Sequence, residues 1–327
     1  MRNLKLTGLS FRTPREIVPN RRARLSPRHI VVLVWACLML FSGLACKPGL
    51  PPLIVTSDRD GNLELYAVHL SGGGEENLTG SQMDEFSPVV SPDGRLIAFL
   101  SGSGDDISLE VMKAGGTARQ QLATGPGARG SHRWSPDSSR IAFVEDVGPD
   151  TKVYVINADG SQQMLLTSLP GGQVGDWSPA GNSVVFAVLE GTERGIYVRN
   201  PDGVNEFQIT TSTPDFSPAW SPDSKKIAFL SQRDGNPELY VMNIDGGEQE
   251  RLTENDVPEY HISWSPDGKR LLFVSERDGN AEIYLADLDT GGLVRLTHNE
   301  VRDEEPIWSP DGRKIAFVSY LDGDAEI

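Results

Sequence analysis

The chain has 327 residues, of which 38% are hydrophobic and 23% charged, with 30 Lys and Arg against 46 Asp and Glu and a formal net charge of −16. Residues 1–46 hold eight basic side chains and one acid, so the remainder carries a net charge of −23. Phosphate binding relies on basic patches, so this balance argues against a nucleic-acid partner and leaves solubility, or attraction for a basic partner, as the use of the charge.

Arg21-Arg22-Ala23-Arg24 and Arg28 precede an apolar run that starts at Ile30 and continues to Ala45. A basic region, a short apolar run and small residues before Cys46 read as an export signal. The run has about 16 residues, short of the roughly 20 that a bilayer-spanning helix needs. Gly43-Leu44-Ala45-Cys46 resembles a bacterial lipobox, which implies lipidation of Cys46 and attachment to a membrane. The departure is Gly43, where that pattern usually has an aliphatic residue, and ordinary cleavage near Ala45 is the alternative. Arg21-Arg22 is too little by itself for a twin-arginine signal. The second Cys, Cys37, lies in the apolar run, so no disulfide is expected in the exported part. Residues 47–52 form a stiff, Pro-rich linker.

From residue 53 onward the sequence repeats. Ser-Pro anchors start at Ser91, Ser135, Ser178, Ser221, Ser265 and Ser309, 43 or 44 residues apart, and the last five are preceded by Trp. A unit of this length matches one four-stranded propeller blade. The unit after Trp264 shows the grammar: a Ser-Pro-Asp-Gly turn, the run Leu271–Ser275, Arg277-Asp278-Gly279-Asn280, the run Glu282–Leu285, a Gly-containing turn, and Arg295-Leu296-Thr297. Pro pre-sets φ for the turn, Asp-Gly closes hairpins, and short β-branched or aromatic runs between turn residues read as strands. Each unit is therefore strand A ending at the Trp, then B, C and D. No helical periodicity follows residue 46.

These residues resemble the TolB-type, WD40-like propeller repeat of bacterial envelope proteins, with Ile227–Tyr240 and the unit after Trp264 as the nearest copies. The resemblance covers roughly residues 53–327. It implies an all-β propeller and, by the family's usual role, a protein or peptide partner in the periplasm or cell envelope. The same repeat also occurs in propeller domains of peptidases and polysaccharide lyases, so function must be argued from a site. TolB itself carries a separate N-terminal α/β domain with no counterpart in residues 1–46. Leu53–Ser57 reads as a leading B run, and the chain stops at Ile327 within a trailing C run. Seven blades with an incomplete last one are therefore expected, with six as the alternative.

Strand A lines the channel of a propeller, so departures from the repeat there are candidate site residues. Three places before the anchor Trp the units read Ser87, Ser131, Val174, Ser217, His261 and Glu305. His132 replaces a recurrent Pro and has Arg129 and Arg133 beside it, His261 follows Glu259 and Tyr260, and His298 lies in a D-to-A loop. With Asp303 and Glu304, the residues Arg129, His132, Glu259 and His261 form the expected binding mouth. His and carboxylate could ligate Zn or Mn, and a metal could make a uronate's α-proton removable, as in the lyases with this repeat. The three His come from different units, so no metal is assigned. The calcium-like Asp58-Arg59-Asp60-Gly61-Asn62 recurs with Gln232, Glu276 or Tyr320 in place of Asp58, so it belongs to the hairpin. The anchor Ser lack a nucleophile elbow, the five anchor Trp at that period are packing residues, and the Gly pairs have no following helix to hold phosphate.

Two functions remain in view. The first is a non-catalytic, exported scaffold for a protein or peptide, with no cofactor. The alternative is a metal-dependent uronate lyase using His132 and His261. Oligomeric state is left open by the sequence.

Overall fold

The computed structural model describes residues 34–35, 52–69, 74–104, 106–126, 132–147, 150–211, 214–321 and 324–326. Arg129 and Cys46 lie outside the described residues. All regular elements among them are strands, arranged as seven antiparallel sheets.

The first blade holds β1 (Val34–Trp35), β2 (Leu53–Ser57), β3 (Glu64–His69) and β4 (Gly74–Asn77). The second holds β5 (Glu85–Val90), β6 (Leu96–Ser103), β7 (Asp106–Lys113) and β8 (Gln120–Pro126). The third holds β9 (Arg133–Trp134), β10 (Arg140–Val147), β11 (Asp150–Asn157) and β12 (Met164–Thr167). The fourth holds β13 (Gly172–Trp177), β14 (Val184–Val188), β15 (Gly195–Arg199) and β16 (Phe207–Gln208). The fifth holds β17 (Asp215–Trp220), β18 (Lys226–Ser231), β19 (Glu238–Asn243) and β20 (Glu250–Arg251). The sixth holds β21 (Glu259–Trp264), β22 (Arg270–Ser275), β23 (Glu282–Asp287) and β24 (Gly292–Arg295). The last has three strands among the described residues, β25 (Asp303–Trp308), β26 (Ile315–Leu321) and β27 (Asp324–Glu326). The expected all-β propeller of four-stranded blades is thus present in six four-stranded sheets and a three-stranded seventh. β1 was not foreseen: its backbone pairs Trp35 with Leu53 and Val34 with Ile54, inside the segment read as an export signal.

Each blade is held by its B and C runs. Phe143, Phe186, Phe229 and Phe273 are buried and stack on the cross-strand Tyr154, Tyr197, Tyr240 and Tyr284, with ring centroids 5.5–5.7 Å apart. Such pairs add to the area they bury. Apolar clusters also cross from blade to blade, as where Ala228, Leu239 and Val241 meet Leu271, Phe273 and Tyr284. Leu53, Val55 and Tyr66 of the first blade pack with Ala316 and Val318 of the last, which closes the ring. The first strand of each sheet lies against the first strand of the next from β1 to β25, which puts these strands around the centre.

The Ser-Pro-Asp-Gly turn links A to B by its own hydrogen bonds. Ser265 Oγ donates to Asp267 at 2.5 Å and accepts from the Arg270 N–H at 3.0 Å, and the Ser91, Ser135, Ser221 and Ser309 turns repeat both bonds. In the Ser178 turn, where Ala180 replaces Asp, Asn182 supplies the acceptor at 2.9 Å. These hydroxyls are committed to the turn, which accounts for the recurrence of Ser without catalysis.

Candidate binding site at the channel mouth

The inner strands bulge at one recurrent place, at the repeat's usual Ser as well as at His261 and Glu305. Register shifts fall between Phe86 and Val89, Phe216 and Ala219, Tyr260 and Ser263, and Glu304 and Ile307. At each of them one non-glycine residue is left-handed: Ser87 (φ 52°), Ser217 (φ 51°), His261 (φ 54°) and Glu305 (φ 52°). That conformation costs roughly 1–2 kcal/mol per residue, and bulges re-aim side chains. Three of these residues precede a Pro, which has no ladder N–H to lose. Four of the six places noted from sequence are thus bulge residues, while Val174 keeps its ladder partner Phe186 and Ser131 lies outside the described residues.

Between the sixth and seventh blades the bulges assemble a polar cluster. His261 Nδ1 accepts the Glu305 N–H at 3.3 Å, and the Tyr260 ring stands edge-on to the imidazole at 5.3 Å between centroids. The Tyr260 hydroxyl donates to Glu276 at 3.2 Å and lies 3.5 Å from Glu304, which also accepts from Arg302. Burial lowers the His261 pKa, Glu304 opposes that shift and Arg302 adds to it. Its ring is thus neutral near pH 7, as the acceptor role of Nδ1 requires. Burial, with Glu304 and a second carboxylate in each case, holds the Tyr260 and Tyr320 phenols well above their usual range, so both stay protonated donors. The arrangement offers neutral donors, one exposed guanidinium and carboxylates, a set suited to binding.

The remaining predicted residues are dispersed. His132 is buried, 2% exposed, in the third blade. Glu259 is 1% exposed and held by Arg277 at 2.8 Å, Asn255 at 2.8 Å and Ser275 at 3.0 Å. Asp303 is fully buried and accepts from Asn299 at 2.7 Å and Ser319 at 2.5 Å. Glu259 and Asp303 thus sit beneath the mouth and brace its strands, while Glu304 reaches the cluster. His298 is exposed. Among the described residues no group of three or more His, Cys, Asp or Glu is placed to hold a metal ion.

Sequence reasoning passed over Arg302 and Tyr320, and the coupling of Arg133 with Asp176. Arg133 and Asp176 stand one place before Trp134 and Trp177, where the other blades have Val89, Ala219, Ser263 and Ile307. Burial raises the Asp176 pKa to about 6 against the opposing pull of Arg133 and the N–H groups of Trp177 and Trp220. Burial also lowers the Arg133 pKa, with Asp176 opposing. Comparing that one place across the repeats would have found both.

Among curated proteins none matches the sequence. Solved structures with the same fold include TolB from Acinetobacter baumannii, 21% identical with a TM-score of 0.58, the match covering 76% of this chain. The chain spans 62% of the length of that TolB. The putative TolB from Agrobacterium tumefaciens is 22% identical with a TM-score of 0.58, over 75% of this chain and 94% of that one. An oligogalacturonate lyase from Vibrio parahaemolyticus is 16% identical with a TM-score of 0.69, over 84% of this chain and 85% of that one. At such identities the likeness concerns the fold. The TolB beta propeller domain model matches residues 106–262 and 258–327, and with this repeat-by-repeat agreement the chain belongs to the TolB beta-propeller family.

Proposed function

We propose that this protein is an exported, non-catalytic propeller scaffold of the bacterial cell envelope, which binds a protein or peptide through the channel mouth between its sixth and seventh blades. Residues 1–45 would direct export and be removed before a lipidated Cys46, which would tether residues 53–327 to a membrane through the Pro-rich segment 47–52. On this reading the pairing of Val34–Trp35 with β2 belongs to the unprocessed chain.

The observation that supports the proposal is the hydrogen-bonded cluster of Tyr260, His261, Arg302 and Glu304 where the inner strands of the sixth and seventh blades meet. Hydrogen-bonding groups on a rigid rim, around a ring stiffened by inter-blade packing, suit recognition of a partner's polar groups. Arg129, which precedes β9 by four residues in the sequence, would extend the same rim. The lyase alternative has no ligand set in its favour among the described residues.

The test is capture of envelope proteins by the exported protein and by an Arg302→Ala, Glu304→Gln variant. The proposal expects a partner that the double variant loses. A partner held equally by both proteins would remove the mouth from the account. Retention of residues 1–45 in the envelope fraction would sink the processing reading.

A further inference from the structure

One place on the inner strands forms a band around the channel. Val89, Arg133, Asp176, Ala219, Ser263 and Ile307 each stand one residue before the end of β5, β9, β13, β17, β21 and β25. All of them are at least partly open to water, while the residues on both sides of Val89, Arg133, Asp176 and Ala219 are buried. Successive side chains on a strand point to opposite faces, so an open place between buried ones, on a strand at the centre of the ring, faces the channel. The Trp134 indole donates to the Val89 carbonyl at 2.9 Å and the Trp177 indole to the Arg133 carbonyl at 3.0 Å, which keeps consecutive strands level at this place.

The band is uncharged except at Arg133 and Asp176, on adjacent strands. Arg133 is exposed, and among the described residues no other Lys or Arg lies on an inner strand. Its Nη1 donates to the His132 carbonyl at 2.9 Å, which fixes the guanidinium against the wall. Asp176 Oδ1 accepts the Trp177 N–H at 2.8 Å, which fixes the carboxylate on the next strand. The two charges act on one another, yet among the described residues no hydrogen bond joins them. Arg133 is thus open to water while enclosed by enough protein to lower its pKa, as on the wall of a narrow channel. Opposite charges held side by side without closing on each other suit a ligand that carries the reverse pair, because their ordering is already complete before it arrives.

We propose that the channel wall between the third and fourth blades binds a free aliphatic α-amino acid, whose carboxylate pairs with Arg133 and whose ammonium pairs with Asp176. In a peptide these two charges lie at opposite ends, and only a free amino acid carries both on one carbon. Guanidinium presents parallel donors that match a carboxylate, and Asp176 has lone pairs left for an ammonium. Val89 and Ala219, at the same place on the two flanking strands, give the ligand's side chain an apolar wall. A few fixed polar groups in an otherwise apolar or neutral recess are the usual make-up of a small-molecule site. The site uses none of Tyr260, His261, Arg302 and Glu304, so it stands or falls separately from the mouth.

The test is calorimetric titration of the full chain at pH 7 with L-leucine, with 4-methylpentanoate, which lacks the ammonium, and with 3-methylbutylamine, which lacks the carboxylate. Saturable one-to-one binding of L-leucine is expected, with both truncated compounds weaker about ten-fold or more. Arg133→Gln and Asp176→Asn should each weaken L-leucine by a similar factor, and Arg133→Gln should leave the amine, which has no carboxylate to lose, as weak as before. Absence of saturation by millimolar L-leucine would overturn the proposal. Equal affinity for L-leucine and either truncated compound would overturn it too, since one of the two charges would then play no part. The comparison of the three compounds on the unaltered protein decides the matter if a variant does not fold.

Discussion

The indole Nε1–H of Trp177 donates to the carbonyl of Arg133 in the preceding blade at 3.0 Å. Trp134 makes the same bond to Val89 at 2.9 Å, and Trp264 to Ala219 at 3.1 Å. The anchor Trp is therefore a staple between inner strands as well as a packing residue. The guanidinium groups of Arg140 and Arg270 cover the next blade's Trp177 and Trp308 rings at 5.1 and 4.9 Å. The staple is not universal: among the described residues the indole nitrogens of Trp220 and Trp308 are buried without an acceptor.

That inequality yields a paired prediction. Trp177→Phe and Trp220→Phe remove similar volume, but only the first leaves a carbonyl without its donor. Trp177→Phe should cost about 1 kcal/mol more than Trp220→Phe in urea unfolding. Equal losses would mean that packing alone explains the anchor.

Much of the fold was legible because its signals are local. The turn at Ser265 needs only the residues up to Arg270 to close, and its fourth place takes the left-handed conformation, as Gly268 at φ 69° or as Ser138 and Ser224 at φ 61°. The site was less legible, because depth is set by neighbouring blades. Glu259 and Asp303 read as mouth residues, yet Arg277, Ser275 and Ser319 draw them under it.

Asp176 should control stability in mildly acidic solution. Burial raises its folded pKa to about 6 from the ordinary 3.8, so the folded chain holds this proton more tightly than the unfolded chain. The stability it contributes is full below about pH 4 and is lost as the pH rises through 6. Asp176→Asn should therefore flatten the stability profile between pH 4 and 6, removing a decline of about 2 kcal/mol. Urea midpoints at pH 4, 5 and 7 give the measurement, and parallel profiles for the two proteins would refute it.

His261 should work in the opposite sense. Its folded pKa is lowered from 6.5, chiefly by burial, so its contribution is present above that value and lost as the pH falls through the folded one. The cause is specific, since Nδ1 accepts the Glu305 N–H only while the ring is neutral. The fourth and fifth blades show a substitute that does not titrate: Gln173 Oε1 accepts the Ser217 N–H at 3.1 Å. His261→Gln should keep the link between the sixth and seventh blades and remove its acid sensitivity. Between pH 7 and 5 the unaltered protein should lose about 1 kcal/mol more than the variant. If both lose the same amount, the imidazole is not the group that ties Glu305 to the sixth blade.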